Sequence, residues 1–145
     1  MPFMWGDTLL AAERAHLLRL MFWGGSCLLV GTALIAALRV ARHRSTLLDQ
    51  FALVTAGWGA VELTLALWGS RMAEVRDLSS ATRLDRALWL CIGLDAGYVL
   101  VGLTLLVVGW RVARHAGVVG AGIAAVVQGL ALGVLDLVLA NQISR

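Results

Sequence analysis

Three carboxylic acids, Glu62, Asp95 and Asp136, stand inside apolar stretches of a 145-residue chain. An ionisable side chain in such a stretch is costly, which makes each a candidate for function. Glu62 lies nine residues before Arg71, Asp136 nine before Arg145, and Asp95 nine after Arg86. At about 1.5 Å per helical residue, all three sit roughly 13 Å from those arginines, in one layer. Carboxyl groups gathered at low dielectric cannot all stay ionised, so protons are retained or a cation lies among them. The chemistry open to such a layer is proton or cation binding, coupled to binding or transport of a small molecule. A second possibility is acid–base chemistry on a lipophilic substrate, because a carboxylic acid kept protonated in an apolar pocket is a usable proton donor. In a third, the acids only hydrogen-bond neighbouring helices and set their register, as in an accessory or structural subunit. The residues leave open whether the chain is an enzyme. Tyr98 could donate a hydrogen bond to the layer, and Arg14, Arg19 or His16 could reach it as counter-charges. Gln128, two turns deeper, suits a second polar site or a helix–helix bond.

The elements that must position these groups are apolar runs at Leu20–Leu38, Phe51–Trp68, Ala87–Trp110 and Val118–Ala140. Each is near or above the roughly 18–20 residues needed to cross a hydrocarbon core. The chain is 60% hydrophobic and 14% charged, with one proline, Pro2, and a mean hydropathy of +0.84. A water-soluble bundle would give its helices a polar face. The composition instead predicts an all-α integral membrane protein, a bundle of four transmembrane helices. The basic balance is no nucleic-acid signal, because all twelve cations are arginines and most flank the apolar runs as membrane anchors do. Arg39, Arg42 and Arg44 close the first run in a stop-transfer pattern, which argues against a cleaved leader. Trp5, Trp68, Trp89 and Trp110 fall near run ends, at headgroup level, while Trp23 and Trp58 are placed for packing.

The pentapeptide "RVARH" occurs at Arg39–His43 and again at Arg111–His115, 72 positions apart. "ERA" at Glu13 pairs with "DRA" at Asp85, "LVGTAL" at Leu29 with "LVGLTL" at Leu100, and "WGAVELTLA" at Trp58 with "LGVLDLVLA" at Leu132. "SR" at Ser70 pairs with the closing Ser144–Arg145. These matches predict a single membrane domain made of two helical hairpins, 1–71 and 72–145, repeated in parallel about an axis along the membrane normal. Glu62 and Asp136 are then repeat mates, and the RVARH segments are equivalent turns on one face. The arginine density of those turns places them in the cytoplasm, with the protein in a bacterial inner membrane. The segment "GDTLLAAERAHLLR" reads as an interfacial helix capped by Asp7 or Thr8. The segment "RMAEVRDLSSATRLDR" reads as a polar loop between the copies.

Small residues let membrane helices approach closely, and here they share faces with the acids. Helix two carries Thr55, Gly59, Glu62, Ala66 and Gly69. Helix three carries Cys91, Asp95, Tyr98 and Gly102. Helix four carries Gly122, Ala125, Gly129, Gly133, Asp136 and Ala140, and helix one Gly24, Leu28 and Gly31. The acids are therefore expected to point inward. The Gly129–Gly133 pair could join helices within the bundle or between protomers, in a homo-oligomer or a larger complex. Cys27 and Cys91 are expected as buried small hydrophobes rather than a disulfide. His43 and His115 follow arginines at the turns, an ordinary place for an interfacial histidine. No metal, cofactor or nucleic-acid partner is expected, and the only partner implied outright is the lipid bilayer.

The pieces "TAGWGAVELTLA", "GLDAGYVLVGLTLLVVG" and "GAGIAAVVQGLALGVLDL" resemble an uncharacterised bacterial domain-of-unknown-function family of small four-helix integral membrane proteins. The resemblance covers about residues 45–140. Asp95, Tyr98, Gly102, Gln128, Gly129 and Asp136 fall on the family's recurrent positions, in its GLDxxY and QG…D motifs. It implies the four-helix membrane fold and no activity. The family pattern has Asn where Glu62 stands, which shifts weight to Asp95 and Asp136.

Overall fold

The computed structural model describes residues 3–143, with side chains from Gly6 onward. The expected roles of Trp5 at a membrane interface, of Arg145 as the boundary mark for Asp136, and of the Ser144–Arg145 repeat match lie outside the described residues. The chain forms α1 (Phe3–Val40), α2 (Thr46–Met72), α3 (Leu78–Val107) and α4 (Ala116–Ile143). A π-wound stretch, Val108–Val112, continues α3. All four helices are long and apolar enough to cross a membrane.

Two boundaries differ from the sequence reading. The N-terminal segment is no separate capped helix: α1 is already running at Phe3 and passes through Asp7 and Thr8 without a break. Nothing in "GDTLLAAERAHLLR" stops a helix, and Gly6, Leu9, Glu13 and His16 are buried on the face that continues into Gly24, Cys27 and Gly31. The loop between the hairpins is also shorter, because α3 begins at Leu78 rather than near Ala87. Asp77 starts it, accepting the Ser80 backbone N–H at 2.9 Å as well as the hydroxyls of Ser79 and Ser80. Those donors, Ser80 foremost, hold the Asp77 carboxyl down at about 2. Ser45 caps α2 in the same manner, through the Leu48 N–H.

Both RVARH segments are turns, and both bend at the same letter. Arg42 and Arg114 adopt left-handed backbone, with φ of 51° and 46°. At the first turn, the His43 N–H bonds the Leu38 carbonyl at 3.0 Å, closing the helix with the six-to-one bond that follows a left-handed residue. At the second, the π winding shifts the bond by one residue, so the His115 N–H reaches Gly109.

Helices within each hairpin touch backbone to backbone. At the α1–α2 crossing, a Cβ on Gly59 would collide with the Leu28 N and lie 2.6 Å from the Gly24 carbonyl oxygen. At α3–α4, a Cβ on Gly102 would lie 2.8 Å from the Val126 N. Gly57, on the outer side of α2, has open space beside it. Gly59→Leu should therefore force the hairpin apart and cost about 1–3 kcal/mol, as overpacking does. Gly57→Leu should be close to neutral, with thermal unfolding in detergent as the measurement.

The helices are not arranged evenly. α4 touches α1, α2 and α3, and α1 touches α2 and α4. The backbones of α2 and α3 stay apart, and only side chains reach between them. The outward faces are apolar: Phe22, Leu29, Leu78 and Trp110 are largely exposed, as are Trp68 and Trp89.

Candidate functional site

Each acid reaches the interior from a different helix, and α4 is their common neighbour. Asp136 of α4 is buried and pairs with His16 of α1, whose Nε2 lies 3.2 Å from Asp136 Oδ1. Asp95 of α3 sits over the small face of α4, with its Cβ opposite Gly133 and its backbone carbonyl against Gly129. Glu62 of α2 is buried, and its Cβ lies against Gly24 of α1. Asp95 lies within electrostatic range of both Glu62 and Asp136. Asp95 is half-buried as a residue while its Oδ2 is buried, because α3 packs its backbone on α4 and leaves its other sides open.

The partners divide the acids sharply. Asp136 has its histidine. Both Glu62 oxygens are buried without any hydrogen-bond donor, and so is Asp95 Oδ2. Of the expected counter-charges, only His16 meets an acid. Arg14 is exposed, and Arg19 turns to the outer side of the α1–α4 contact, where its Nη1 is buried and unpaired. Tyr98 stacks edge-on against Trp58 of α2, centroids 4.9 Å apart, and closes the α2–α3 gap next to Glu62.

A deeper polar contact accompanies this layer. Gln128 is among the most buried side chains, and its Oε1 accepts from Trp23 Nε1 at 2.8 Å. It is a helix–helix bond between α1 and α4. Cys27 is buried as expected, whereas Cys91 is exposed, and both are free thiols. Its helix, α3, has a seam of Ala81, Leu88 and Gly102, which leaves Cys91 off the contact line. In α1 the buried residue is likewise Cys27 rather than Leu28, which is intermediate. The Gly129–Gly133 pair packs within the bundle, against Asp95 and Val99. His43 and His115 are exposed at the turns.

One contact was missed from sequence. Glu13 is buried and accepts a two-pronged hydrogen bond from Arg76 at 2.9 and 2.6 Å, which ties α1 to the loop before α3. This bond raises the already high Arg76 value further. The signal was present, since Glu13 shares the buried face of Leu9 and His16, but the separate N-terminal helix assumed there hid it.

Among the described residues, no group of three His, Cys, Asp or Glu side chains is close enough to hold a metal ion. A groove of about 620 Å³ lies between α1 and α4, and none of the three acids lines it.

The model of a family of unknown function, DUF6992, matches residues 19–137. The chain belongs to DUF6992. The DUF6992 match contains Glu62, Asp95, Asp136, Tyr98, Gln128 and Arg19, and it begins after Glu13 and His16. No curated protein and no solved structure matches the chain.

Proposed function

We propose that this DUF6992 chain is an integral membrane protein built from a duplicated hairpin, whose polar layer binds and releases a proton in support of small-molecule binding or transport. The membrane reading is supported by four apolar helices of spanning length and by large apolar side chains facing outward. The duplication is supported by the left-handed Arg42 and Arg114, which are equivalent letters of the two RVARH turns. The arginines of those turns favour a cytoplasmic position in a bacterial inner membrane.

Duplication also accounts for the uneven partners of the acids. Glu62 and Asp136 are mates, but the mate of His16, at an offset of 72, is the buried Leu88. Asp136 therefore keeps a histidine where Glu62 finds none. The single observation carrying the proposal is the Glu62 carboxyl, buried with both oxygens unpartnered and with Asp95 nearby. An ionised carboxylate there has nothing to offset its desolvation, so the group works by holding a proton. The paired Asp136 favours a different role, fixing α1 on α4.

Infrared difference spectroscopy of the protein in liposomes tests this. A pH step should produce a protonated-carboxyl C=O band that Glu62→Gln removes and Asp136→Asn leaves in place. A band unchanged in Glu62→Gln would end the proposal.

A further inference from the structure

The groove between α1 and α4 opens on the outer surface of the bundle, away from the acid layer. Phe22 and Trp23 of α1 form one wall, and Ala131, Val134 and Leu135 of α4 form the other. Its volume, about 620 Å³, falls within the roughly 300–1,000 Å³ usual for small-molecule sites. The small side chain of Ala131 leaves room between these walls, and Trp23 is fixed by its hydrogen bond to Gln128.

Among the described residues one charged side chain lines this groove, Arg19, and its Nη1 is buried without a partner. A guanidinium nitrogen covered without a partner is expensive, and a rotation of the flexible Arg19 side chain into the groove it lines would offer that nitrogen to an anion. Asp136, the residue after Leu135, is already engaged by His16. A guanidinium presents two parallel N–H donors, the match for a carboxylate. A phosphate monoester, at nearly two negative charges, calls for a second cation, which the groove lacks. From Arg19 to Ser26 at the far end of the α1 wall the groove runs about 10 Å, at 1.5 Å per residue. That length holds the upper part of a hydrocarbon chain and leaves the remainder among lipid tails.

We propose that the α1–α4 groove binds a long-chain carboxylate, the head on Arg19 and the first part of the chain between Trp23 and Val134. The site is separate from the proton layer and stands whether or not Glu62 exchanges a proton.

The test uses the full chain in nanodiscs of zwitterionic lipid, with dibromostearate as probe and tryptophan quenching as readout. Saturable quenching is expected, with affinity at least tenfold weaker for Arg19→Gln and for dibromostearate methyl ester. Ala131→Phe, which puts a ring into the groove from the α4 wall, should also abolish it. If Arg19→Gln fails to fold by circular dichroism, the ester comparison and Ala131→Phe still decide. Equal binding of acid and ester overturns the proposal, as does tighter binding of dodecyl phosphate than of the acid. It is likewise overturned if the protein is a dimer that Ala131→Phe splits into monomers without acid binding, since a second copy would then be the occupant.

Discussion

His16→Ala is expected to destabilise the protein by about 3 kcal/mol, the scale on which removing one member of a buried ion pair acts. The histidine and Asp136 are 3.2 Å apart and both buried, so truncating one side leaves a carboxyl group inside the bundle with no donor. The effect comes from the group left behind rather than from the worth of the pair. Replacing both, His16→Leu with Asp136→Leu, should therefore recover most of the loss, since apolar packing of similar volume often equals a buried pair. Unfolding in mixed detergent micelles, run as a double-mutant cycle, measures this directly. A His16→Ala protein as stable as its parent would mean that the contact does not hold α1 on α4.

Much of this arrangement was legible in the residues because helical periodicity fixes faces. The small-residue line Thr55–Gly59–Glu62–Ala66 predicted the α2 seam, and those four positions are buried. The two RVARH segments predicted where the chain would turn. What could not be read was the sideways arrangement of the helices, because an apolar helix in an apolar surrounding carries no strong amphipathic signal. Hence the stripe Cys91, Asp95, Tyr98 and Gly102 predicted the α3 seam only in part: Gly102 is buried and Asp95 lies over Gly133 of α4, whereas Ala81 and Leu88 complete the seam and Cys91 is exposed. The partner of each acid was equally hidden. Arg14, His16 and Arg19 lie within about a turn and a half of one helix but face different directions, and only the rotation of α1 against α4 decides which of them meets Asp136. The length of α1 was misjudged for a local reason: the polar segment before the first apolar run read as a separate interfacial helix, whereas Glu13 and His16 meet Arg76 and Asp136 inside the fold.

Glu62→Met gives the opposite sign from His16→Ala, and this contrast separates working acids from packing acids. A carboxyl group whose two oxygens are buried without donors contributes no hydrogen bond that its removal could break. Methionine has a similar length, adapts to irregular space and carries no desolvation penalty. The substitution should leave the bundle as stable as before or raise its stability by about 1–3 kcal/mol, the cost of burying a polar group without a hydrogen-bond partner. The pH-dependent carboxyl band should vanish at the same time. Such a gain in stability with loss of proton exchange is the pattern of a residue kept for function against the interest of the fold. Should Glu62→Met destabilise the protein as strongly as His16→Ala does, Glu62 must have a structural partner, and the acid layer would serve packing throughout.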